Sequence, residues 1–214
     1  MKSFFLGIFF IIVIGLGGLV YRNAVEHPSQ PIACPLDALV CPDGTAVART
    51  GSSCTFAACP PPNVSLTNAQ IAFAIPTGFT DAEVPDESAV AAYEQQTASS
   101  TIADSIVIRR YAIAASSTPL AVIQQTAIGG ASGLPAPVTA FSSSVLGSYR
   151  FTVVSIERFE GVINTAYYLA RGTDVLRFDA VDHEVANWMD SGLNVGALPA
   201  HSALTKLLAT LQVL

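Results

Sequence analysis

Residues Tyr149–Val181 read YRFTVVSIERFEGVINTAYYLARGTDVLRFDAV, with Glu160-Gly161 and Gly172-Thr173 as turn signals between three runs of similar length. In the first run Phe151, Val153, Ser155 and Glu157 alternate with Thr152, Val154, Ile156 and Arg158. That is the period of two that sends successive side chains to opposite faces of a strand. Tight turns between such runs make an antiparallel meander. The spacing predicts strands over 149–159, 162–171 and 174–181.

The flanks supply the remaining elements. Ile71, Phe73 and Ile75 alternate with Ala72 and Ala74 before the turn Pro76-Thr77-Gly78, which predicts a strand ending in a turn. Residues 86–97 (DESAVAAYEQQT) read as a short helix or an irregular excursion, and 105–113 (SIVIRRYAI) as a strand. Thr118-Pro119 opens a helix to about 128, with Thr118 as N-cap and Pro119 at the first helical position. Residues 129–147, with their Gly and Pro, read as a long loop. After Pro199 a helix is expected over 200–212, with Leu204, Leu207, Leu208 and Leu211 on one face. Strands with two covering helices make an α+β fold, an antiparallel sheet covered by helices.

Three stretches, FAIPTGF at Phe73–Phe79, YYLARGTDVLRF at Tyr167–Phe178 and LTKLLATL at Leu204–Leu211, together resemble the Mog1/PsbP-like sandwich. The resemblance covers most of 70–214 and implies a binding or scaffolding role more than catalysis.

Ahead of this domain stand two other segments. Ser3–Val20 (SFFLGIFFIIVIGLGGLV) is 18 residues without a charge, between Lys2 and the pair Tyr21-Arg22. As a helix it would span about 27 Å, near the ~30 Å of a hydrocarbon core. It is read as a single-pass transmembrane anchor or signal-anchor over 1–22, in contact with the lipid bilayer through residues 3–20. A cleaved signal peptide would put Arg22 at position −3 of a cut after Ala24, and a lipoprotein reading would need Cys34 much closer to the apolar run. Either way residues 23–214 are expected outside the cytoplasm, at the cell membrane.

After a linker at 23–33, all four cysteines lie between Cys34 and Cys59, spaced C-x6-C-x12-C-x4-C. No C-x2-C pair and no His in the segment suggest zinc, so two disulfides are expected, with three pairings open. The stretch Cys41-Pro-Asp-Gly-Thr-Ala-Val, followed by Cys54, resembles the middle of a Kazal-type inhibitor. It resembles more closely a short "CPDG" module of membrane-anchored proteins from uncultivated bacteria. Kazal domains carry six cysteines and a helix, and this segment has four cysteines and no helix. Carried over, the Kazal pairing implies Cys34–Cys54 and leaves Cys41 with Cys59. Pro60-Pro61-Pro62 then begins a stiff linker over 60–69, separating the 34–59 module from the 70–214 domain.

Of the 214 residues 51% are apolar and only 12% charged, with net charge −6. This excludes a disordered polyelectrolyte and gives no basic nucleic-acid footprint. The densest group of potential ligands is Asp179, Asp182, His183 and Glu184, but consecutive residues of a strand cannot all face one ion. His201 reads as a surface residue of the last helix, meeting His183 only if that helix starts beside the strand end. Arg109 and Arg110 are adjacent, so they are expected to face solvent or the rim on opposite sides of their strand, while Arg158, Arg171 and Arg177, with Glu157, Glu160, Asp174 and Asp179 nearby, read as cross-strand pairs. Their alternative is an anion patch. Trp188 reads as an anchor of 183–193 onto the core. Gly129, Gly130 and Gly133 follow no strand, so they are no dinucleotide fingerprint. Asn63-Val64-Ser65 fits a glycosylation pattern.

The sequence thus points to a membrane-anchored extracytoplasmic binding or scaffold protein with a cell-surface or envelope partner, and to no catalytic residues, cofactor or metal. One alternative is a Kazal-like protease inhibitor acting through 34–59. The other is an extracytoplasmic enzyme with a site near 129–147 and 179–184.

Overall fold

The computed structural model describes residues 12–19, 21–22, 33–42, 44–96, 101–129 and 133–214. The chain divides into two compact units, Met1–Ala38 with Ala48–Ala57, and Leu39–Val47 with Ala58–Leu214. The division passes through the cysteine-rich segment. Of the three pairings open to four cysteines the chain takes Cys34–Cys54, in the first unit, and Cys41–Cys59, in the second.

In the first unit residues 12–19 and 21–22 are helical (α1). Strands β1 (Ala38–Val40) and β2 (Ala46–Thr50) each cross the division of the chain, and β3 is Thr55–Phe56. β3 pairs with the end of β2 through Arg49↔Phe56 and Thr50↔Thr55. Arg49 grips the Asp37 carboxylate with two bonds, of 2.7 and 3.0 Å, and lies 4.0 Å over the Phe56 ring. Among the described residues no helix is long and apolar enough to cross a membrane, so the transmembrane helix expected at 3–20 is not seen. Residues 1–11 and 20 lie outside the described residues.

The second unit is built on antiparallel strands. β4 (Val64–Leu66), β5 (Ile71–Phe73) and β15 (Gln212–Val213) form a small sheet in the order β15-β5-β4. The main sheet has seven strands, ordered β11-β12-β13-β14-β8-β7-β6. They are β6 (Thr80–Asp81), β7 (Ala89–Gln95), β8 (Asp104–Ala112), β11 (Ser142–Leu146), β12 (Tyr149–Phe159), β13 (Val162–Ala170) and β14 (Asp174–Asp182). β9 (Ile128–Gly129) and β10 (Leu134–Pro135) make a short separate ladder.

Side chains alternate across the main sheet. Tyr167, Leu169, Leu176 and Phe178 face one core, with Leu204, Leu207, Leu208 and Leu211 of helix α3 (Pro199–Ala209) and its C-terminal end, and with Ile71 and Phe73 of the small sheet. Ala166, Tyr168 and Val175 face a second core with Val122 and Ile123 of helix α2 (Pro119–Thr126). Thr118 caps α2 by accepting the Ala121 N–H at 3.2 Å.

The expected fold class is corrected. The described residues are mostly sheet, 40% strand against 19% helix. Two segments account for much of the difference. Residues 89–95 form β7 because β8 offers them a ladder from Gln95↔Asp104 to Ala89↔Arg109, and that pairing overrides the helix propensity of Ala, Glu and Gln. Ser142–Leu146 form β11, paired only with β12 at the sheet margin. Its serines leave no apolar alternation to read, and polar side chains suit an edge that faces water.

Candidate functional site

Consider first the residues that the sequence singles out. Asp182 ends β14, is 1% exposed, and its carboxylate accepts the N–H groups of Ala200 at 2.7 Å and His201 at 3.3 Å. Pro199 cannot donate and Leu198 carries no capping oxygen, so Asp182 takes over the unpaired donors of the α3 N-terminus. The helix therefore starts beside the strand end. His201 is turned inward, 9% exposed, with Nε2 2.8 Å from the Tyr167 hydroxyl. The surface placement expected for His201 is thereby corrected: the first turn of α3 lies against the sheet. Burial lowers the His201 pKa and raises that of Tyr167. Burial, with the charge of Asp104 adding to it and two N–H groups opposing, raises the Asp182 carboxyl to about 6.

His183 and Glu184 are occupied differently. The backbone N–H of His183 donates to Asp104 Oδ1 at 2.8 Å. Glu184 adopts a left-handed backbone and accepts the Thr101 N–H at 3.0 Å. The cluster thus serves as a structural knot. No three His, Cys, Asp or Glu among the described residues could hold a metal ion.

The arginines are spent on two buried carboxylates and one loop. Asp179 lies between Arg109 and Arg177, which also donates to the Thr126 carbonyl at the end of α2. Asp174 lies between Arg110 and Arg171, which hold the Asn68 and Ala69 carbonyls. Burial alone would raise the Asp174 carboxyl, but the bonds from Arg171 and Arg110 outweigh it and the net shift is downward. Arg158 donates to the Trp188 and Asp190 carbonyls, while Trp188 meets Phe159 edge-on at 6.0 Å. Glu157 and Glu160 take no part in these pairs.

A different place offers room for a ligand. A cleft of about 440 Å³ opens beside the start of α3, lined by Gly44, Thr77, Gln95, Ser202 and Lys206 among others. Its apolar wall includes Pro76, Phe79 and Pro199. The volume lies in the range of small-molecule sites. Two glycines shape it. Gly44 (φ +86°) leaves space for the Lys206 side chain, whose Cδ and Cε would lie 3.3 Å from a Cβ there. Gly78 (φ +94°) lies under Gln95, whose Nε2 would be 2.4 Å from a Cβ. Neither the Lys206 nor the Gln95 side chain has a hydrogen-bond or ion-pair partner among the described residues. Asp182, His183 and the described residues of 129–147 do not line this cleft.

The turn Pro76-Thr77-Gly78 is legible in the sequence, but the cleft is not, because its walls come from positions as distant as 44 and 206. The one available signal was scarcity: Lys2 and Lys206 are the only lysines in the sequence.

No family model matches the sequence, and no curated protein matches it. A solved structure from Bacteroides thetaiotaomicron is similar at 11% identity and a TM-score of 0.42, over 68% of this chain and 45% of that one. The chain spans less than half the length of that protein, and a likeness of this size carries no argument about fold or activity.

Proposed function

We propose that this chain is an extracytoplasmic binding protein that takes a small ligand in the cleft beside α3. The two disulfides support an oxidising compartment outside the cytoplasm. The observation that carries the binding reading is the pair Gln95 and Lys206. Both polar tips lie across glycines at one cleft, with no protein partner among the described residues. Polar groups that converge on a hollow and are left unspent by the fold suit a ligand. The test is a titration of the isotope-labelled full chain with a library of small polar fragments, read by amide shifts. Perturbations should gather at Gly44, Thr77, Gln95 and Ser202. A library that moves only residues elsewhere, or none, refutes the reading.

A second reading, protease inhibition by the cysteine-rich segment, is favoured by Leu36. It is fully exposed, and the neighbouring Asp37 is fixed by Arg49. An exposed side chain on a pinned loop suits insertion into a protease. A panel of serine proteases that all keep full activity with the chain in excess would exclude this second reading.

A further inference from the structure

We infer that the cleft takes a short saccharide bearing one carboxylate, with Lys206 as the partner of that carboxylate; this rests on the binding reading above. Among the described lysines and arginines, Lys206 alone has no partner. Arg49, Arg109, Arg110, Arg171 and Arg177 hold aspartates, Arg158 holds carbonyls, and Arg150 bonds the Ser143 hydroxyl. Lys206 is exposed, in the last turn of α3, and its side chain lies against Gly44 at the cleft rim. Among the described residues no aspartate or glutamate lines the cleft.

The ligand chemistry follows from these groups. One ammonium matches one carboxylate; a phosphate dianion would leave half its charge uncompensated beside a single lysine. The Gln95 amide and the Thr77 and Ser202 hydroxyls both donate and accept, as sugar hydroxyls do. Pro199 is exposed and presents apolar surface for the C–H face of a sugar ring, and the buried Pro76 and Phe79 complete that wall. Gly78 leaves room for the Gln95 amide, since a Cβ there would come within 2.4 Å of its Nε2.

The experiment is calorimetric titration of the full chain with cellobiouronate, a disaccharide with a single carboxylate, with its methyl ester, and with a tripeptide with a free carboxylate. The sugar acid should bind. The ester, and the acid against Lys206→Ala, should bind roughly tenfold or more weakly, as loss of a charge-assisted hydrogen bond requires. Lys206→Arg should restore most of the affinity. Lys206→Ala should melt with the parent chain, since its side chain is exposed. Asp43 precedes Gly44 in the sequence, and Asp43→Asn should bind at least as tightly; a loss there would overturn the assignment. Silence toward the sugar acid, equal binding of the ester, or preference for the tripeptide would also overturn it. The cleft reading itself falls only if the fragment titration fails as well.

Discussion

The carboxylate of Asp182, at the end of β14, accepts the backbone N–H of Ala200 in the first turn of α3 at 2.7 Å. A single acid thereby fixes where the last helix begins, which places Ser202 and Lys206 along the cleft. The same acid is buried, so position and protonation are linked.

Asp182 should leave a mark on stability against pH. Its folded pKa of about 6 lies above its ordinary value of 3.8. Stability from this group is therefore fully present below about pH 4 and is lost as pH rises toward 6, on the order of 3 kcal/mol in all. His201, whose pKa is lowered by burial, acts oppositely, losing stability as pH falls below about 6.5. Asp182→Asn keeps an acceptor for Ala200 and removes only the first dependence. In urea titrations from pH 4 to 7.5 the variant should gain on the parent chain as pH rises. A constant difference across that window would show that Asp182 titrates normally.

Asp174 makes the opposite case. It is 2% exposed and held by Arg110 and Arg171. Asp174→Ala would strand both cations and release the Asn68 and Ala69 carbonyls that they hold. A loss of about 3–5 kcal/mol is expected in chemical denaturation. Because its pKa is lowered, its contribution is present above its ordinary pKa and lost only as pH falls through the lowered one. A loss under 1 kcal/mol would mean that the arginines find other partners.

The legible parts of this fold were the local ones. The alternation in Tyr149–Phe159 and the Leu204–Leu211 face specify elements by their own period, and both are seen. β7 was not legible because its residues favour a helix until β8 pairs with them. The inward turn of His201 is not legible because it depends on two distant residues, Asp182, which accepts its backbone N–H, and Tyr167, whose hydroxyl meets its Nε2. Pairing is legible for Arg171 and Arg177, but not for Arg109 and Arg110, and the acid that each arginine takes depends on register, Arg177↔Arg109 and Asp174↔Ala112. The cleft joins residues that no window of sequence contains.

The α3 face gives a packing test. Leu204, Leu207 and Leu208 are fully buried against the main sheet. Leu207→Ala should cost about 2–5 kcal/mol, a large part of a domain stability of ~5–15 kcal/mol. Truncation after Pro199 removes all three and should give an insoluble product. A soluble, cooperatively melting fragment would show that the sheet face is covered in some other way.

The two disulfides should differ in what they stabilise. Cys41 and Cys59 both belong to the larger unit, and Cys41 is 3% exposed. Their bridge closes a loop with a sequence separation of 18, for which chain entropy gives about 3 kcal/mol. The turn it anchors is closed by Cys41 N–H to the Thr45 carbonyl at 2.7 Å and carries Gly44 to the cleft. Replacing Cys41 and Cys59 with serine should therefore lower the melting temperature of the larger unit and weaken ligand binding with it. Cys34 and Cys54 lie in the other unit, and their double serine variant should leave that melt nearly unchanged. Calorimetry of the two variants side by side separates the effects. Equal losses from both would mean that the cysteine-rich segment folds as one block, and a melt indifferent to Cys41–Cys59 would detach the Gly44 turn from the stability of the sheet.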